Sequence, residues 1–165
     1  LDSAGRVTLP SPLLAHAEVE KEVMVVGVGD HLEVWGKQRW LEQQRSLDAE
    51  IRRINRIRRE NPALQRADNL TFHHSENDQV LFYRKSMPDG SNDLLIVINL
   101  DPTRPHEAMV HVPLDALGLA PDAVYPVTDL LTGAQFRWRG ARNYVRLDPA
   151  REPAHVLRLE RGGTA

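Results

Sequence analysis

Between residues 40 and 57 the apolar side chains Trp40, Leu47, Ile51, Ile54 and Ile57 return at intervals of three, four and seven, among Arg, Glu and Gln. With no Gly or Pro from 40 to 60, that period predicts one long amphipathic helix. Pro62 drives Asn61 out of the helical region, so the helix should close there. Upstream the pattern becomes β-branched: residues 22–28 are valine-rich, Gly29-Asp30 is a turn and 31–35 is the returning strand, which predicts a hairpin. Before it, the Asp2-Ser3-Ala4-Gly5 cluster reads as a turn feeding a short strand at 7–9. Ser11 as N-cap with Pro12 at the first helical position predicts a short helix through 13–17.

Downstream of the long helix the period falls to two. Eight short strands are expected near 70–74, 79–85, 93–100, 108–112, 124–128, 135–139, 144–147 and 154–159, with Gly, Pro or Asn-Asp signals between them. Leu94-Leu95-Ile96-Val97-Ile98 is apolar on both faces and predicts a buried central strand. Eight strands at this spacing predict a two-sheet antiparallel sandwich. The expected fold class is therefore mainly β with helices: a C-terminal antiparallel β-sandwich joined by a long helix to a small N-terminal β-hairpin module. The expected bounds are 1–36 for the N-terminal half-module, 37–62 for the helix, 63–160 for the sandwich and 161–165 for a tail.

A chain of 165 residues can bury one good core, or two small ones. The N-terminal piece is too small to hold itself together and should pair with a second copy or lean on a larger partner. There is no cysteine, which removes disulfides, thiolate metal sites and cysteine nucleophiles, and a cytoplasmic location is expected. The longest apolar run is strand-sized, so no membrane partner is expected. Leu1 is not an initiator methionine, and further chain is expected before it. The net charge of −2 is unevenly spread: residues 51–66 hold six arginines against Glu60, while the segments on either side are net acidic. Such a patch either meets phosphates or pairs with acidic neighbours.

Two resemblances emerge from particular residues. Asp2-x-x-Gly5-Arg6-x-x-x-Pro10, followed by the valine-rich strand and Leu32-Glu33-Val34-Trp35, resembles the second repeat of MraZ, a transcriptional regulator of the AbrB-like swapped-hairpin type. The resemblance covers residues 1–48 and implies DNA as a partner, with Arg6 offering a fork to phosphate or guanine, and Asp2, Gly5 and Pro10 shaping the turn. Alternatively, Asp2 and Arg6 bond each other and only close the fold. From Ile51 to Gln65 the chain resembles the last barrel helix of α-amylase-superfamily enzymes of the GlgE maltosyltransferase type, with Asn61-Pro62-Ala63-Leu64 handing the chain to a sandwich. The blocks at 95–102, 129–133, 142–147 and 153–156 are similar to successive parts of the same family's C-terminal domain.

The second resemblance implies a retaining glycosyl transfer with maltose 1-phosphate as donor and α-glucan as acceptor, its paired carboxylates carried by a barrel outside this chain. The chain alone is then expected to be inactive and to need no cofactor. Asp93, Asp101, Asp115, Asp129 and Asp148 fall at strand ends or near Pro and Gly, where short acids form turns. His73 and His74 should point to opposite faces of a strand, and His106, His111 and His155 show no ligand spacing, so no metal is expected. Trp138, Tyr144, Phe72 and Tyr83 are candidates for stacking on sugar, although Phe136 and Trp138 share one strand face and also suit a core. Three functions follow: a non-catalytic accessory sandwich of a maltosyltransferase with a catalytic barrel and α-glucan as partners; a DNA-binding regulator of the MraZ type; or an artificial or misassembled fusion without joint function.

Overall fold

A computed structural model describes residues 8–19 and 21–159. The chain divides into two compact units, 1–52 and 53–165, and the division falls inside the long helix.

In the first unit, helix α1 (Ser11–His16) is followed by strands β1 (Val23–Val28) and β2 (His31–Gly36), paired antiparallel from Val23↔Gly36 to Val28↔His31. The N-cap of α1 is Pro10 rather than Ser11: its carbonyl accepts from Leu13 N and Leu14 N, and the cap has no side-chain bond. Extended backbone at Pro10 already orients that carbonyl along the helix, so Ser11 becomes the first helical residue. The strand expected at 7–9 does not form at Thr8 or Leu9, and Val7 lies outside the described residues. Gly36 allows a close approach, because a Cβ built there would meet the Glu18 carbonyl oxygen at 2.5 Å. Trp35 packs at 5.9 Å from Trp40, with the Arg39 guanidinium 5.8 Å from the Trp35 ring.

Helix α2 (Lys37–Glu60) starts at the expected residue 37 and ends just before Asn61, as Pro62 requires. Its apolar stripe is largely uncovered: Leu47, Ile51 and Ile54 are exposed, and Ile57 is the buried member. Arg52, Arg53, Arg56, Arg58 and Arg59 are exposed and form no ion pair among the described residues, whereas Arg66 pairs with Asp68 at 2.6 Å, so the pairing reading of this patch is met at Arg66 alone. The helix end is held by side-chain amides. Asn61 Nδ2 donates to Ile57 O at 2.8 Å, Asn92 Nδ2 donates to Asn61 Oδ1, and Ala63 N donates to Asn92 Oδ1. These bonds fix the 3₁₀ turn Pro62–Gln65 against the sandwich.

The second unit is the sandwich. Its strands are β3 (Leu70–Phe72), β4 (Val80–Ser86), β5 (Asp93–Asn99), β6 (His106–His111), β7 (Val124–Asp129), β8 (Gln135–Arg139), β9 (Arg142–Leu147) and β10 (Ala154–Leu159), with a four-residue helix α3 (Leu114–Leu117) after β6. One sheet runs β3-β4-β5-β10-β7-β8 and the other is the pair β6-β9, all antiparallel. Phe82, Leu95, Val97, Val127, Trp138 and Leu157 of the large sheet meet Ala108, Val110, Val145 and Leu147 of the small one, with Leu114 and Leu117 of α3 closing the core. Strand β5 is central, as its double-sided pattern requires, because Ala63 and Leu64 cover Leu94 and Ile96 on its other face.

The first sandwich strand stops at Phe72, not His74. His73 N still donates to Phe82 O of β4, and beyond it the chain crosses to the small sheet, where His74 O accepts from His111 N, Ser75 bridges Val110 and Glu76 N donates to Met109 O. Edge carbonyls and amides of β6 win this segment from the hairpin. Among the described residues no helix is long and apolar enough to cross a membrane.

Candidate functional site

Of the residues expected to contact DNA or shape its turn, Asp2, Gly5 and Arg6 lie outside the described residues, and Pro10 is the N-cap of α1. Of the five aspartates expected to form turns, Asp93, Asp101, Asp129 and Asp148 have side-chain partners close by. Asp101 accepts from Thr103 N, Thr103 Oγ1 and Arg104 N, Asp148 accepts from Ala150 N, and Asp115 lies in the first turn of α3. Asp93 is buried against Arg84 at 2.5 Å, an ion pair rather than a turn.

Asp129 does more than turn the chain. It is fully buried at the end of β7, where Oδ1 accepts from Leu131 N and Val156 N, and Oδ2 from Thr132 Oγ1. The same Oδ2 lies 3.1 Å from His155 Nδ1, and His155 Nε2 lies 3.3 Å from the Arg146 carbonyl. Both imidazole nitrogens therefore face acceptors, an arrangement that a doubly protonated ring satisfies. Burial disfavours charge on His155, but the Asp129 hydrogen bond and charge, with the Arg146 carbonyl, outweigh it and raise the histidine above its ordinary value. Burial likewise opposes charge on Asp129 and is overcome by its four donors, which hold the carboxyl below its ordinary value. The pair ties β7, β10 and β9 together. Sequence reasoning read both residues singly, and no local spacing marks two groups 26 positions apart.

Beside this pair a cleft of about 210 Å³ opens between β8 and β9, which follow one another in the chain but belong to different sheets. Phe136, Trp138, Tyr144, Arg146, Glu152 and His155 line it, over Val145 and Leu157. Trp138 is core and packs edge-on to Tyr125, whereas Phe136 and Tyr144 are exposed. The other two stacking candidates, Phe72 and Tyr83, form a separate edge-on pair at 6.0 Å between β3 and β4. Strand alternation puts Phe136 and Trp138 on one side as expected, but at the sheet edge the side is only partly covered.

On the small sheet Glu76 takes both guanidinium donors of Arg142, at 2.6 and 2.7 Å, and approaches His111 Nε2 at 2.8 Å. The Arg142 and His111 bonds lower its carboxyl to about 2. Among the described residues no three of His, Asp and Glu are grouped to hold a metal ion.

Residues 72–159 match the sequence model of the family described as "GLGE, C-terminal". The chain belongs to this family. Residues 1–60 match a second model, "MraZ protein, putative antitoxin-like". Relatives of the GLGE C-terminal region include an alpha-1,4-glucan:maltose-1-phosphate maltosyltransferase of Corynebacterium pseudotuberculosis, 44% identical over 119 residues, which are 72% of this chain and 18% of the relative. A Streptomyces coelicolor enzyme of the same name, number 2, is 47% identical over 115 residues, 70% of this chain and 17% of its own length. The Mycolicibacterium smegmatis enzyme is 40% identical over 114 residues, 69% of this chain and 16% of its own. The chain thus spans less than a fifth of the length of these relatives. A match of 119 residues within a chain of 165 cannot begin later than Leu47, so it takes in the second half of α2. The MraZ match reaches residue 60, and the two similarities share that stretch of helix.

Proposed function

We propose that the sandwich is the non-catalytic accessory domain of a maltosyltransferase that builds α-glucan from maltose 1-phosphate, working in the cytoplasm with a catalytic barrel as its partner. The observation that supports this reading is the confinement of 40–47% identity to one segment of under a fifth of the relatives' length. Asp93, Asp101, Asp129 and Asp148 are committed to Arg84, to turns or to His155, rather than paired across an open cleft as glycosyl transfer requires. The role of the domain is mechanical: the buried Asn61–Asn92 network anchors the end of α2, the helix that the family resemblance assigns to the barrel.

The test is a domain exchange. Replacing the matching segment of the Streptomyces coelicolor enzyme with residues 47–159 should give a soluble enzyme that releases phosphate from maltose 1-phosphate in the presence of glycogen, while the 165-residue chain alone releases none. Turnover by the chain alone, or an exchanged enzyme that cannot fold, would overturn the reading.

A second reading concerns the N-terminal unit. The hairpin face formed by Val23, Val25, Leu32 and Val34 carries three exposed apolar residues, and two strands with an uncovered apolar face need a partner. With the MraZ match, this supports pairing with a second copy to make a DNA-binding module that uses Arg6. Retardation of promoter DNA that weakens with salt and disappears in Arg6→Ala is the expected result. Absence of retardation at low salt would remove this reading.

A further inference from the structure

We infer that the cleft between β8 and β9 is a binding site for the α-1,4-glucan chain, separate from any site of bond making. This rests on the accessory-domain reading above and adds a ligand to it. Single exposed aromatic rings are ordinary on protein surfaces. Here two such rings, Phe136 and Tyr144, stand on strands of different sheets and line one opening, with Trp138 beneath them. Phe136 lies edge-on to His155 at 6.2 Å. Arg146 and Glu152 supply the polar part of the lining.

A pyranose ring has two C–H faces and a perimeter of hydroxyls. Apolar ring contacts for the faces, with a few donors and acceptors for the perimeter, are what this lining offers. The size suits a sugar unit rather than a large ligand, and the open sides let a polymer continue past it. An anionic ligand is disfavoured because Glu152 stands in the same lining as Arg146. Addition of a peptide strand is disfavoured too, since groups along these edges are already used: the Arg146 carbonyl by His155 and Arg139 N by Asn143 Oδ1.

The experiment uses the whole chain, run in native gels cast with and without glycogen and titrated with maltoheptaose by calorimetry. Glycogen should retard the protein, and Tyr144→Ala and Phe136→Ala should each weaken maltoheptaose binding by about threefold to tenfold, the loss of one ring contact. Phe72→Ala, which removes an exposed ring elsewhere, should leave binding unchanged. No retardation by glycogen, equal retardation by an α-1,6-linked dextran, or binding that survives loss of both Phe136 and Tyr144 would each overturn the inference. Circular dichroism of each variant confirms that the sandwich is intact. A working domain exchange without glycogen retardation sinks the cleft alone, whereas retardation by a chain whose exchange fails sinks the accessory-domain reading alone.

Discussion

The two units hold similar apolar residues and treat them differently. In the sandwich, Val80, Phe82, Leu95, Val97, Val127 and Leu157 are sealed between two sheets. In the first unit, Val23, Val25 and Leu32 have the same β-rich character and remain open, and among the described residues before Ile57 no apolar side chain is buried. Both pieces carry alternating strands, so pattern does not separate them. What separates them is the number of layers: eight strands close on themselves, while one hairpin and a short helix have nothing opposite to close on. An apolar face of this extent without a cover is a feature of surfaces that associate.

Substitutions that probe burial should break or sharpen this contrast. Phe82→Ala, at a site 1% exposed, should cost about 3–5 kcal/mol in denaturant unfolding. A loss under about 1 kcal/mol would mean the sandwich core is not what holds the second unit together. Asp129→Asn should cost about 3 kcal/mol, because His155 is then left facing a neutral amide in a buried site.

The same pair sets a pH window. His155 is raised above 6.5, so its contribution is complete below that pH and is lost as pH climbs through the raised value. Asp129 is lowered below 3.8, so its contribution is complete above that pH and is lost as pH falls through the lowered value. Unfolding free energy measured across pH should therefore decline on the alkaline side in the parent chain and do so less in Asp129→Asn. Identical profiles would show that the pair does not govern this flank.

Tyr125→Phe removes the hydroxyl that donates to Gly140 O at 2.8 Å and accepts from Asn143 Nδ2, and should cost about 1 kcal/mol. Smallest of all, Leu32→Ala, at a site 71% exposed, should change stability by less than about 0.5 kcal/mol. The same substitution should weaken any self-association seen by sedimentation. A large loss of stability in a monomer would show that the hairpin face is already covered.

Much of this architecture was legible residue by residue. Pro62 ended the helix at Glu60 because the preceding backbone cannot remain helical, and Leu94-Leu95-Ile96-Val97-Ile98 marked the central strand because only a strand covered twice can be apolar twice. Less legible was the crossing at His74 to Glu76, since alternation says that residues are extended but not which neighbour they pair with. The candidate cleft was half legible. Phe136, Trp138 and Tyr144 stood out as aromatic, and their sharing of one opening depended on β8 and β9 parting into different sheets.

The chain's own order of residues determined its periods, its turns, its lack of thiol chemistry and its likeness to two families, because each of these is encoded within a few neighbours or a linear string. Tertiary structure alone decided that Asp129 and His155 would meet, that Trp138 would be core while Tyr144 stayed open, and that the stripe on α2 would stay bare beyond Ile57. Those outcomes depend on which distant surface lies opposite, and distance in space is not written into spacing along the chain.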